Sequence, residues 1–132
     1  MKKKIAMAKI TCILVIAFTV SSFQFTYSAS TNGKDIDEIK KVWASFVEKL
    51  SMKNIDGALE YIVEERRENY REAFTLMKDR IAEEMSKKEE IQINEVDENI
   101  ATGENIVREN GGVYSYPVTF IKEKGQWKIQ SF

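Results

Sequence analysis

Residues 113–132 read VYSYPVTFIKEKGQWKIQSF, two strand-like runs on either side of a short charged turn. Before the turn, Tyr114, Tyr116, Val118 and Phe120 share one face at the strand period of two; after it, Trp127 and Ile129 continue the alternation. Glu123-Lys124-Gly125 reads as a three-residue connection, a type I turn closing in a bulge at glycine, which accepts the left-handed conformation without a Cβ clash. Lys122 ends the aromatic face with a charge, so that face should become wet near the turn. Pro117 has no N–H for a ladder, so its strand needs an edge, a bulge or an outward position there.

Working back from this hairpin, Asn110-Gly111-Gly112 supplies a second tight turn, and Asn105–Glu109 (NIVRE) a short strand before it. Ala101-Thr102-Gly103-Glu104 reads as a turn. Ile91 and Ile93 alternate with Gln92 and Asn94 as a first strand, and Glu95-Val96 breaks the alternation, which predicts a bulge or bend. The C-terminal part is therefore a four-stranded antiparallel meander.

Upstream the period is helical. Asp35, with Glu38 three residues on, reads as the N-cap of a first helix ending near Lys53, after a polar lead at 31–34. Its stripe is Ile36, Ile39, Trp43, Phe46 and Leu50, with Val42 and Val47 alongside. Asn54 caps a second, short helix carrying Ile55, Ala58, Leu59 and Ile62. Gly57 within it implies close packing or a frayed first turn. The charged run 64–68 reads as a solvated turn or helix start, and a third helix follows from about Arg67 to Lys87. Its stripe is Tyr70, Phe74, Met77, Ile81 and Met85, with Ala73 and Leu76 beside it. Three helices packed on a curved, mainly antiparallel four-stranded sheet make an α+β plan.

The first thirty residues follow a different logic. Lys2, Lys3, Lys4 and Lys9 precede an uncharged apolar run, Ile10–Val20, and small residues follow at Ser28-Ala29-Ser30. That order is the secretory signal pattern, with cleavage expected after Ser30 or, alternatively, Ser28. The run is short for a membrane span of about 20 residues; extended to Phe25 it would serve as an uncleaved anchor, the one membrane contact the sequence offers. Cys12 opens the apolar run instead of closing it, unlike a lipidated cysteine. The expected domains are a signal peptide, 1–30, and a single domain, 31–132, exported from the cytoplasm.

Cleavage would remove four lysines and no acid, taking the formal net charge from −1 to −5. The remaining 102 residues hold no histidine and no cysteine. They are enough for one core without disulfides. An acidic chain without a basic tract speaks against nucleic acid and anionic lipid. Without His and Cys, triad chemistry and the usual transition-metal sites are excluded, and no cofactor or calcium-loop motif is evident.

The order DIDEIKKVWASFVEKL, NIDGALEYI, NYREAFTLMKDRI and YPVTFIKEKGQWKIQSF resembles the small secreted bacterial domains of the nuclear transport factor 2-like family, the cone-shaped fold shared with ketosteroid isomerase. The resemblance spans Asp35–Phe132. It implies a cone-like α+β domain but no single function, since this fold hosts isomerases, dehydratases, ligand binders and dimerisation modules. Of the enzymatic schemes it implies, only a carboxylate base with tyrosine donors is compatible with this composition. No Asp or Glu falls within the apolar stripes as read above, Asp56 and Glu60 read as solvated, and no catalytic residue is assigned.

Two expectations follow. One is a non-catalytic domain whose cone holds a small apolar or aromatic ligand, lined by Trp43, Tyr61, Tyr70, Phe74, Tyr114, Tyr116, Phe120 and Trp127. On a helical stripe, Trp43 is also an ordinary core residue. The other is an interaction or homodimer module using the outer sheet face, Val113, Ser115, Thr119 and Ile121.

Overall fold

The computed structural model describes residues 29–132. The expected signal segment lies outside them, Ala29 and Ser30 excepted. Helix α1 (Ala29–Ser51) buries Ile39, Trp43, Phe46 and Leu50 along one stripe, as its spacing predicts. It starts earlier than expected. Residues 31–34 are helical, and Asp35 is an interior residue one turn before Ile39 on the buried stripe, not the N-cap. A carboxylate thus does sit in an apolar stripe, and it is tolerated there because two side chains of the sheet meet it.

Helix α2 (Ile55–Leu59) follows, and Asn54 caps it through a bond from the Gly57 N–H to its side-chain oxygen, 2.9 Å. The returning Asn54 side chain explains Gly57: a Cβ there would stand 2.6 Å from the Asn54 amide nitrogen. A 3-10 turn (Glu64–Arg66) leads into α3 (Arg67–Leu76) and then α4 (Ile81–Ser86). The single third helix expected over 67–87 is therefore two. At the break the hydrogen bonds tighten from four residues to three, Lys78 N to Thr75 O and Arg80 N to Met77 O, before Ile81 N returns to Met77 O. The bend lets α3 pack against α2 while α4 packs against α1. Phe74, Ile81 and Met85 are buried, whereas Leu76 is 83% exposed at the bend.

The sheet is an antiparallel meander in the order β1-β2-β3-β4: β1 (Lys88–Val96), β2 (Ile100–Glu109), β3 (Gly112–Glu123) and β4 (Gln126–Ser131). Helices on a four-stranded antiparallel sheet make the α+β class expected. The predicted bulge is present as a register shift between Ile93 and Glu95. The turn read at 101–104 is not a turn. Those residues belong to β2, and the chain reverses at 97–99, where Asp97 N bonds Ile100 O and the Asp97 carboxylate accepts the Glu98 N–H. Gly103 had looked like turn chemistry. It is glycine for another reason: a Cβ there would lie 2.5 Å from the Gln92 carbonyl beside the β1 bulge.

Both later hairpins close through two-residue loops with positive φ throughout, Asn110-Gly111 and Lys124-Gly125, pairing Glu109 with Gly112 and Glu123 with Gln126. The second is thus a type I′ connection and not the three-residue bulged turn expected. Pro117 lies where β3 has no β4 neighbour, since the β3–β4 pairs run only from Thr119 to Glu123. On the far side of β4, Tyr61–Val63 run parallel to it, with Ile129 N donating to Tyr61 O and Val63 N to Ile129 O. No helix among the described residues is long and apolar enough to cross a membrane.

Candidate functional site

Register assigns the inner face of the sheet, the one under the helices. Asn105 pairs with Ile91 on β1 and Tyr116 on β3; Gly103 pairs with Ile93 and Val118; Ala101 pairs with Val96 and Phe120. Of the eight residues expected to line a pocket, Trp43, Phe74, Phe120 and Trp127 are buried. Tyr61 and Tyr70 are half-buried, and Tyr114 and Tyr116 are 49% and 48% exposed.

Four of the eight come together. Trp43 meets Phe120 edge-on at 6.5 Å, and Tyr70 stacks on Phe74 at 5.6 Å. Phe46 joins the two pairs, 5.6 Å from Trp43 and 6.1 Å from Phe74. The shared neighbour of this cluster is Phe132. Its ring stacks on Tyr70 at 5.0 Å with only 7° between planes, and lies edge-on to Phe46 at 5.2 Å and Trp43 at 5.9 Å.

The other four lie elsewhere. Tyr61 serves β4 through its carbonyl, and Tyr114 and Tyr116 project from the stretch of β3 that β4 leaves unpaired. Trp127 belongs to a polar clamp: its Nε1 donates to Asp35 Oδ1 at 2.9 Å, Lys122 Nζ reaches the same oxygen at 3.1 Å, and that ammonium lies 4.9 Å from the Trp127 ring centre. The Trp127 N–H first, then Lys122, hold the Asp35 carboxyl below its ordinary pKa. That direction stabilises the anion and is the wrong one for a general base at neutral pH. At the opposite end Lys87 Nζ bonds Glu109 Oε1 at 3.1 Å with Glu84 at 3.5 Å, and the Glu109 bond raises the lysine pKa. Arg71 of α3 pairs on open surface with Asp56 of α2 and with Glu68 of its own helix.

Sequence reasoning passed over two residues. Phe132 falls just after the final strand pattern, and nothing in its spacing tells of a ring that folds onto the helices. From sequence Asn105 is the first residue of a short strand after a turn, with no face assigned to it. With β2 starting at Ile100, the alternation Ala101, Gly103, Asn105, Val107 places it inward, and it is 1% exposed. Neither its oxygen nor its nitrogen has a hydrogen-bond partner among the described residues, and the same holds for the Trp43 indole nitrogen. A buried polar group left unpaired costs about 1–3 kcal/mol. One of these groups lies on the inner face of β2 and the other on the buried stripe of α1. Among the described residues no group of three or more acidic or other ligating side chains is placed to hold a metal ion.

No family model matches the chain, and no curated protein matches it. Among solved structures, the chain is similar to a Campylobacter jejuni protein described as a candidate nuclear transport factor 2-like transpeptidase, with 18% identity over 76% of this chain and 99% of that one, at a TM-score of 0.48. It is also similar to a nuclear transport factor 2-like protein of unknown function from Shewanella oneidensis, with 12% identity over 73% of this chain and 94% of that one, at a TM-score of 0.46.

Proposed function

We propose that this is an exported, non-catalytic domain that binds a small, largely apolar ligand on the inner face of its sheet, with the Asn105 amide as the orienting polar group. The observation that carries the reading is Asn105 itself, buried at 1% with both side-chain atoms unpartnered among the described residues. Its neighbours by register are Ile91 and Tyr116, an aliphatic and an aromatic surface for the body of a ligand. Export rests on the signal-like order of the first thirty residues.

The test is Asn105→Leu, which keeps the volume and removes the polar atoms. It should raise or leave unchanged the melting temperature of the ligand-free domain, because an unsatisfied amide is lost. It should also weaken binding of a neutral naphthylamine dye by about tenfold or more, on the scale of a lost buried hydrogen bond. Dye binding unchanged in Asn105→Leu would sink the reading.

A second reading, an interaction module, is favoured by the outer face, where Ile100 and Val113 are 53% and 61% exposed. Ile121 pairs with Ile100 there, and Thr119 with Thr102. A concentration-dependent dimer broken by Val113→Lys would support it; a monomer at all concentrations would count against it.

A further inference from the structure

We infer that the ring of Phe132 is a displaceable occupant of an aromatic subsite, and that a planar aromatic ligand carrying a hydrogen-bond acceptor takes its place. The inference deepens the ligand-binding reading above and rests on it. Phe132 lies beyond the last ladder pair, Thr119 with Ser131, so the sheet does not hold it. Its backbone has one bond to a side chain, its N–H donating to the Tyr70 hydroxyl at 3.3 Å, at the long end of the useful range. The ring nevertheless lies against Trp43, Phe46, Tyr70 and Phe74. Both Phe132 and Tyr70 are only half-buried, so solvent reaches part of this near-parallel stacked pair.

A second observation points independently to a ligand. Trp43 is 3% exposed, and its indole N–H has no acceptor among the described residues. Phe132 fits among these rings, edge-on to Trp43, but as a hydrocarbon ring it brings no acceptor to the pocket. A flat aromatic molecule with a carbonyl or ring nitrogen would keep the stack on Tyr70 and supply the missing acceptor. The subsite is thus filled by a side chain that matches it in shape and fails it in polarity, as a removable plug would.

The experiment uses the full chain with para-fluorophenylalanine placed at position 132, followed by fluorine NMR during titration with acetophenone. The near-isostere α-methylstyrene, in which a methylene replaces the carbonyl oxygen, serves as the comparison. The expected result is that acetophenone moves the fluorine signal towards that of the unfolded chain. It should also bind about tenfold more tightly than α-methylstyrene, the usual discrimination from one buried hydrogen bond. Trp43→Phe, which keeps a ring and removes the N–H, should abolish the difference between the two probes. If acetophenone binds and Asn105→Leu weakens it while the fluorine signal stays put, the plug is wrong and the ligand-binding reading stands. Should Phe132→Ala bind acetophenone where the unmutated chain binds nothing, Phe132 is a permanent core filler and the inference fails. No binding to either form would overturn this inference together with the reading beneath it.

Discussion

Val118 and Phe120 share a face of β3 with Tyr114 and Tyr116, yet the first pair is 1% and 0% exposed and the second 48–49%. Nothing in their own alternation separates them. The difference is coverage. From Thr119 onward β3 is flanked by β4, and Phe120 lies under Trp43 of α1; Val118, one position short of the first β4 pair, is still covered, whereas Tyr114 and Tyr116 lie farther out along the stretch that β4 does not flank. The covered area also runs obliquely. Across from half-exposed Tyr116, Asn105 on β2 is still fully buried. A period of two says which face a residue takes, and only the neighbouring elements say how deep that face lies.

The sharpest way to break this contrast is truncation on each half. Phe120→Ala should destabilise by about 3–5 kcal/mol, as ring deletions from packed cores do. Tyr116→Ala, four residues away on the same face, should lose less than about 1 kcal/mol, because a half-exposed ring gives up little burial. Thr119→Ala, on the outer face, should also fall well under half of the Phe120 loss. Urea unfolding of the three variants measures all of this. Equal losses at Phe120 and Tyr116 would mean that both halves are covered in solution.

Gly103, across β2 from Val118, tests the covered half from the backbone side. A Cβ at 103 would meet the Gln92 carbonyl at 2.5 Å and the Ile93 side chain at 3.2 Å. Gly103→Ala should therefore destabilise by about 1–3 kcal/mol through a forced shift of β1. A neutral Gly103→Ala in the same denaturation assay would show that the β1 bulge yields easily.

The residues that were legible from sequence are those whose neighbours are local. The α1 stripe, the Asn54 cap and the meander all follow from spacing and turn chemistry within a few positions. What could not be read depends on partners far along the chain. Asp35 looked like a cap because acid before an apolar stripe usually is one, and the residues that neutralise it, Lys122 and Trp127, are 87 and 92 positions away. Gly103 looked like a turn because glycine is a turn signal, and the carbonyl that demands it belongs to another strand. Asn105 was lost with it: a strand start misplaced by five residues hid the inward register. The third helix carried no proline or glycine at its break, so its bend follows from packing against two different helices.

At the covered end of β3 the Asp35 clamp adds a charge to the comparison. The Asp35 pKa is depressed in the folded state, so its contribution is present above the unfolded value of about 3.9 and is lost as pH falls through the folded one. Asp35→Asn should cost about 1–2 kcal/mol near neutral pH, the scale of charge-assisted bonds to a mostly buried group. The gap between the variant and the unmodified chain should be constant above about pH 5 and narrow steadily below about pH 4. Thermal melts across that range would show it, and a gap that widened on acidification would reverse the assigned sign.

The smallest expected effect compares the two turns at the ends of β3. Both are two-residue loops with matching backbone, Asn110 at φ 50 and Gly111 at φ 78, Lys124 at φ 51 and Gly125 at φ 78. Asparagine tolerates the left-handed region, whereas lysine has no local bond to offset the strain. The poorer residue stands at the covered end, where Trp127 and Phe120 hold the strands together regardless of the loop. The better one stands at the uncovered end, where β4 does not flank β3 and Tyr114 and Tyr116 are half-exposed. Lys124→Asn should thus stabilise by about 0.5 kcal/mol, and Asn110→Lys should destabilise by more than that, up to about 1 kcal/mol. The lost Lys124–Glu64 pair, 3.6 Å between two exposed side chains, is too solvated to offset the gain. Urea midpoints for the two variants, and for the double exchange, decide the matter. If the two changes are equal and opposite, the turns act alone and coverage has no part in them. A larger loss at 110 would mean that the uncovered half of β3 relies on its turn for the order that the helices give the other half.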